Sequence, residues 1–173
     1  MLPEPIHTPR LTLLPLAVAH ADEMAGVLAD PALYAFTGGE PPSAGALRAR
    51  YARQVAGSPD PDTDWLNWVV SVNGSEQLAG YVQATVTGGD AADVAWVVGA
   101  EWQGRGLARE AALGMAGWLA EQGVTELVAH IHPGHHASAM VARALGLTAH
   151  GEDEEGEIVW RGRTAGPVDP GNH

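Results

Sequence analysis

The chain has 173 residues, 46% of them hydrophobic and 17% charged, a size and balance suited to one soluble domain with a buried core. Its nine basic residues, all arginine, face twenty-one acidic ones, and the formal charge of −12 argues against nucleic acid as a partner. Cysteine is absent, excluding disulfides, thiolate metal sites and cysteine nucleophiles; with no apolar run of membrane-spanning length and no signal-peptide pattern, a cytoplasmic protein without a membrane partner is expected.

Residues Arg10 to Leu16 (RLTLLPL) predict a first strand, and apolar spacing from Ala17 to Leu28 predicts a helix that Asp30-Pro31 stops. Thr37 to Ser43 reads as loop, with Ser43 capping a second helix from Ala44 to Ala56. Gly57 to Asp64 (GSPDPDTD) is polar and turn-rich, so it is expected to be loop. Three strands follow, Asn67 to Val72, Leu78 to Thr87 and Asp93 to Val98, joined by the hairpin signals Asn73-Gly74 and Gly88-Gly89-Asp90. A third helix runs from about Leu107 to Gln122, with Gly123 as its C-terminal cap. Then come a strand from Glu126 to His132, the break Pro133-Gly134, and a helix from His136 to Leu145. A hairpin of Leu147 to Glu152 and Glu157 to Arg161 closes the series. The order predicts an α+β fold whose βαβ crossover makes the strands at Asp93 and Glu126 parallel. Residues 1–163 are expected to form a single domain and residues 164–173 a disordered tail.

The strongest chemical signal lies between the strand ending at Val98 and the third helix. Gln103-Gly104-Arg105-Gly106-Leu107-Ala108 opens that helix with two glycines, which let the backbone turn sharply and approach a ligand. The unpaired amides of a first helical turn, with the dipole behind them, form an anion site, and Arg105 and Arg109 lie beside it. The spacing fits neither the dinucleotide fingerprint nor the P-loop. A tight turn whose glycines serve only the backbone is the competing reading.

The segment WVVGAEWQGRGLAREAAL, with its Q-x-x-G-x-A pattern, resembles the acyl-CoA signature of the GCN5-related N-acetyltransferases (GNAT), in particular the ribosomal-protein N-terminal acetylase branch. HPGHHASAMVARALGL, Pro133 to Leu147 with the histidine before it, resembles a second segment of that branch, and the element order is also similar over roughly Arg10 to Arg161. The resemblance implies a mostly antiparallel central sheet with a splayed parallel pair and flanking helices, and acetyl-CoA as co-substrate. It implies that backbone groups at Val98 meet the pantetheine, and that Gln103 and the amides of Gly104, Arg105, Gly106, Leu107, Ala108 and Arg109 hold the pyrophosphate. Ser138 matches the serine near the coenzyme A sulfur, which can reprotonate the leaving thiolate. Two positions depart from the family: His135 replaces an asparagine that contacts pantetheine, and Ala142 replaces a tyrosine that some relatives use as general acid.

Acyl transfer to an amine needs a base, because a protonated amine has no lone pair with which to attack a thioester. His130, His132, His135 and His136 crowd seven residues, with His130 and His132 expected on one face of a strand. Their readings are structural, metal-binding or catalytic; with no carboxylate nearby in sequence and no zinc spacing, no metal ligand is assigned. His130 stands where some relatives place a glutamate base, so it is the first candidate, with His132 in support. Glu157, in the acidic closing hairpin, is the second. Tyr34, Phe36 and Trp65 fall where the acceptor would bind. The expected function is acetyl transfer from acetyl-CoA to a primary amine, on a small molecule or a peptide N-terminus, by a monomer or homodimer. A coenzyme-binding sensor without turnover and a histidine-cluster metal module are the alternatives.

Overall fold

Alternation of apolar residues with period two builds the sheet, and the computed structural model describes residues 1–165 of it and its surrounding helices. Eight strands run in the order β1-β2-β3-β4-β5-β6-β8-β7: β1 (Ile6–His7), β2 (Leu11–Pro15), β3 (Thr63–Val72), β4 (Leu78–Thr87), β5 (Ala91–Val98), β6 (Glu126–Ile131), β7 (Thr148–Glu152) and β8 (Ile158–Arg163). Every neighbouring pair is antiparallel except β5 and β6. The helices are α1 (Ala21–Val27), α2 (Ala44–Ala56), α3 (Leu107–Glu121) and α4 (His136–Ala144).

On β3, Leu66, Trp68 and Val70 enter a large core with Leu13, Met115 and Leu119, while Val69 between them joins Met24, Leu47 and Tyr51 on the opposite face. The two faces thus take α3 and α4, and α1 and α2, respectively. Met24, Leu47, Met115 and Leu119 are fully buried, each contributing about 1.5–3 kcal/mol of transfer free energy. The same alternation on β6 buries Leu127, Ala129 and Ile131 and turns His130 outward.

Several expectations need correction. The segment expected as loop through Asp64 is already strand from Thr63, because the long β4 offers partners as far as Thr87. The helix expected from Ala17 divides into a 3₁₀ turn, Val18–His20, and α1, where the Ala17 amide donates to His20 Nδ1 at 3.0 Å. The two-residue β1 was not foreseen between Pro5 and Pro9; it pairs with Leu13 and Thr12 of β2. The last strand spans Ile158–Arg163 instead of Glu157 to Arg161, and β6 stops one residue before His132. Thr164, expected in the disordered tail, donates its amide to Thr125 O at 3.0 Å and its hydroxyl to Val124 O at 2.7 Å. Of that tail, residues 166–173 lie outside the described residues. No helix among the described residues is long and apolar enough to cross a membrane.

Candidate active site

The parallel pair is short. Only Ala91, Ala92 and Asp93 of β5 pair with β6, at Glu126, Leu127 and Val128, while β5 stays paired with β4 as far as Val98. Past Asp93 the two strands part, and one edge of Val94 to Val98 faces the opening between them. Two clefts meet there. One, of about 290 Å³, lies beneath Phe36, Tyr81, His130, His132 and Glu157. The other, of about 430 Å³, runs along Gly104, Gly106, Arg109 and Met140 to the start of α3. Trp96, Gln103, His135 and Ser138 line both.

The second cleft carries the glycine turn. Gly104 and Gly106 have φ of 77° and 75°, and Gly106, left-handed at the N-cap of α3, makes no side-chain cap. The first-turn amides of a 15-residue helix are therefore left without a side-chain acceptor at the cleft. That arrangement suits the pyrophosphate of an acyl-CoA. Leu107 contributes backbone alone, since its side chain is buried in the core, and Ala108 lies half-buried beside it. Gln103 Nε2 donates to Val98 O at 3.1 Å, so this carbonyl, expected to meet pantetheine, already has one partner. Arg109 lines the cleft. Arg105 instead lies over the Trp102 ring at 5.2 Å and donates to Glu101 O at 3.2 Å. Trp102 Nε1 is the one buried side-chain polar atom without a partner among the described residues.

A third arginine, missed in sequence, braces this turn. Arg10, at the approach to β2, donates through one terminal guanidinium nitrogen to Arg105 O at 2.8 Å and through Nε to Glu110 Oε1 at 2.7 Å. Glu110 Oε2 also accepts from the Thr8 hydroxyl at 2.6 Å and the Arg10 amide at 2.9 Å. Partial burial pushes the Glu110 carboxyl up, but these hydrogen bonds from Thr8 and Arg10 outweigh it and hold the group below the usual glutamate range. The partners lie about a hundred residues apart, and no local spacing announces them.

At the junction, His135 is the N-cap of α4. Its Nδ1 accepts the Ser138 amide at 3.4 Å and its Nε2 lies 3.1 Å from Ser138 Oγ. Phe36 stacks on this ring, with centroids 4.7 Å apart and planes at 24°, and also meets His132 at 5.1 Å. Burial, and then the neighbouring His132, lower the His135 pKa below the ordinary histidine value. His132 Nδ1 accepts the Gly134 amide at 2.9 Å, which turns the chain out of β6. Ala142 is fully buried in the core, so that position offers no acid to the cleft.

The sequence showed no carboxylate near the histidine cluster; the fold supplies two. Asp153 Oδ2 lies 2.9 Å from His130 Nδ1, and Asp93 Oδ1 lies 3.3 Å from Nε2. Slight desolvation pushes Asp153 up, but amides from Glu157 and Glu155 and the His130 ring together lower its pKa. Glu157, half-buried in the first cleft, hydrogen-bonds through its amide to Asp153 at 3.0 Å, and its carboxylate has no protein partner among the described residues. Among those residues no three His, Asp or Glu side chains converge as metal ligands.

A family model described as the acetyltransferase (GNAT) domain matches residues 10–148. Comparison with curated proteins finds no match. An acetyltransferase of the GNAT family from Bacillus anthracis superposes with a TM-score of 0.78 at 16% identity, covering 93% of this chain and 99% of that one. A ribosomal-protein-S5-alanine acetyltransferase from Vibrio fischeri gives 0.77 at 17% identity, over 94% and 98% of the two chains. A ribosomal α-N-protein acetyltransferase solved with coenzyme A gives 0.77 at 14% identity, over 95% and 100%.

Proposed function

The chain belongs to the GNAT acetyltransferase family, acyl-CoA-dependent N-acyltransferases, and on that premise we propose that it moves an acetyl group from acetyl-CoA to a primary amine by direct attack. The observation that carries this reading is the meeting of two clefts at the β5–β6 opening. One offers glycine-turn amides suited to an anion, and the other offers a free carboxylate suited to an amine.

Acetyl-CoA supplies the activated thioester. The amides from Gly104 to Arg109 hold its pyrophosphate, with Gln103 shaping the turn by its bond to Val98. Backbone groups of Val94 to Val98, facing the opening, receive the pantetheine and polarise the thioester carbonyl. Glu157 takes the proton from the incoming ammonium, since both ring nitrogens of His130 are engaged by carboxylates. Ser138, common to both clefts, donates to the departing thiolate. The acceptor is a primary amine carried on a small molecule or a peptide N-terminus, next to apolar surface from Phe36 and Trp96. His130, Asp93 and Asp153 add polar groups at the mouth of that cleft.

The test combines calorimetric titration with acetyl-CoA and a thiol-release assay over a panel of small amines and short peptides. Micromolar binding with amine-dependent thiol release is expected. Tight binding with no release for any amine would make the protein a coenzyme sensor, and no binding at all would remove the reading.

A further inference from the structure

Ser138 cannot act alone. A hydroxyl has one proton, and its direction depends on what its oxygen accepts. Near Ser138 the ring of His135 settles that question. Its Nδ1 accepts the Ser138 amide, so that nitrogen carries a lone pair and not a hydrogen. In a neutral imidazole the single proton then resides on Nε2, which faces Ser138 Oγ at 3.1 Å. The imidazole donates, the serine oxygen accepts, and the serine proton is left to point elsewhere. Ser138 borders both clefts at their junction, where the thioester sulfur would sit. Phe36, stacked on His135, fixes the plane of the ring.

Resting on the acetyl-transfer reading above, we propose that His135 is a positioning residue that aims the Ser138 hydroxyl proton at the leaving sulfur. The amine nitrogen bonds to the carbonyl carbon, the C–S bond breaks, and its electron pair stays on sulfur. The Ser138 proton passes to that sulfur as the acylated nitrogen sheds its extra proton to restore the hydroxyl. One proton thus moves from nitrogen to sulfur, and the Nε2–H of His135 supports the serine oxygen while it is short of its own. Burial and His132, the ionisable neighbour that acts on this ring, keep the imidazole neutral near pH 7. Protonation of Nδ1 would set it against the Ser138 amide, donor facing donor, and break the cap.

Two measurements test this. In protein labelled with ¹⁵N histidine and free of coenzyme, long-range ¹H–¹⁵N correlation should show His135 protonated at Nε2 and bare at Nδ1 at pH 8. A predominant Nδ1–H form overturns the proposal whatever the activity. His135→Ser keeps an oxygen able to cap α4 but has no second group to donate to Ser138 Oγ. Its kcat should fall at least tenfold, with calorimetric affinity for acetyl-CoA within about twofold of wild type. The wild-type kcat profile should carry an inflection below 6.5 from His135 that this variant lacks, beside the acid limb that the Glu157 base sets in both. An unchanged kcat, or a loss confined to acetyl-CoA affinity, makes His135 structural only. Failure of the wild type to release thiol with any amine would instead sink the acetyl-transfer reading, while the tautomer measurement still reports on the pair.

Discussion

Replacing Arg10 by alanine removes a brace that joins β2 to the glycine turn before α3. The variant loses the guanidinium bond to Glu110 at 2.7 Å and the bond to Arg105 O at 2.8 Å, but keeps the backbone contact to Glu110. The Arg10 side chain is half exposed, so the ion pair is screened and contributes about 1 kcal/mol at most. The charged bond to the Arg105 carbonyl adds about 1.5 kcal/mol. The expected loss is roughly 2 kcal/mol, or about 4–8 °C in Tm at this chain length. The second bond also holds the turn in the shape that presents its amides. Losing it makes the ligand order the turn, so acetyl-CoA affinity should fall by about tenfold, equivalent to about 1.4 kcal/mol. Thr8→Val is the control: it removes the 2.6 Å bond to Glu110 but leaves Arg105 O capped. That variant should lose about 1 kcal/mol of stability and little affinity. Differential scanning fluorimetry and isothermal titration calorimetry separate the two effects. Equal affinity losses in both variants, or unchanged affinity in Arg10→Ala, would refute the brace.

Gly106→Ala places a Cβ at φ 75°, which costs about 1–2 kcal/mol, and 3.4 Å from a terminal nitrogen of Arg10. Lower Tm together with weakened acetyl-CoA binding is expected, read by thermal melting and calorimetry. Glu157→Gln should reduce kcat by about a hundredfold or more at pH 7 and leave acetyl-CoA affinity intact, because the proposed base is lost and the turn is not. His130→Gln should cost far less, and the reverse ranking in thiol-release kinetics would return the base to His130. His135 and His20 both have pKa values lowered chiefly by burial, so the unfolded chain binds more protons than the folded one near pH 6. Their stabilisation is complete above 6.5 and is lost as pH falls through the lowered folded values. Glu110 acts in a separate window: its contribution is present above 4.5 and is lost below it. Urea melts between pH 8 and pH 3 should show both steps, and His135→Ser should flatten part of the first alone.

Local signals read well from the sequence. Asn73-Gly74, Gly88-Gly89-Asp90 and Gly123 mark turns, and period-two burial locates β3 to β6 within a few residues. The glycine turn was legible for the same reason, since positive φ at Gly104 and Gly106 is a property of those residues themselves. What stayed hidden depends on partners remote in sequence. The N-terminal half of β3 is too polar to look like strand, and becomes one because β4 extends beside it to Thr87. The two carboxylates on His130 come from β5 and from the β7–β8 turn, brought together by β6 lying between β5 and β8. His135 is the local exception: it stands at the family's pantetheine-contacting asparagine, and histidine is not a residue that announces an N-cap. Its link to Ser138 follows from α4 beginning one residue later, which turns the Ser138 amide and hydroxyl toward one ring.

The distribution of charge explains how so acidic a chain can hold a phosphate-bearing ligand. With a formal charge of −12, the long-range field repels an anion, so attraction must come from groups acting within a few ångströms. Amides at a helix start are suited to this: their partial charges are fixed in direction, need no counter-ion and add nothing to the net charge. The arginines nearby are divided by task. Arg109 remains at the cleft, whereas Arg105 is drawn onto Trp102 and Arg10 is tied to Glu110. Two of the three cations therefore shape the turn, which in the proposed reading leaves its backbone to meet the anion. On the far side of the opening, Asp93, Asp153 and Glu157 sit where an ammonium would approach. The short β5–β6 pairing opens the gap where the two clefts meet, and their shared lining of Trp96, Gln103, His135 and Ser138 stands between the glycine turn on one side and these carboxylates on the other.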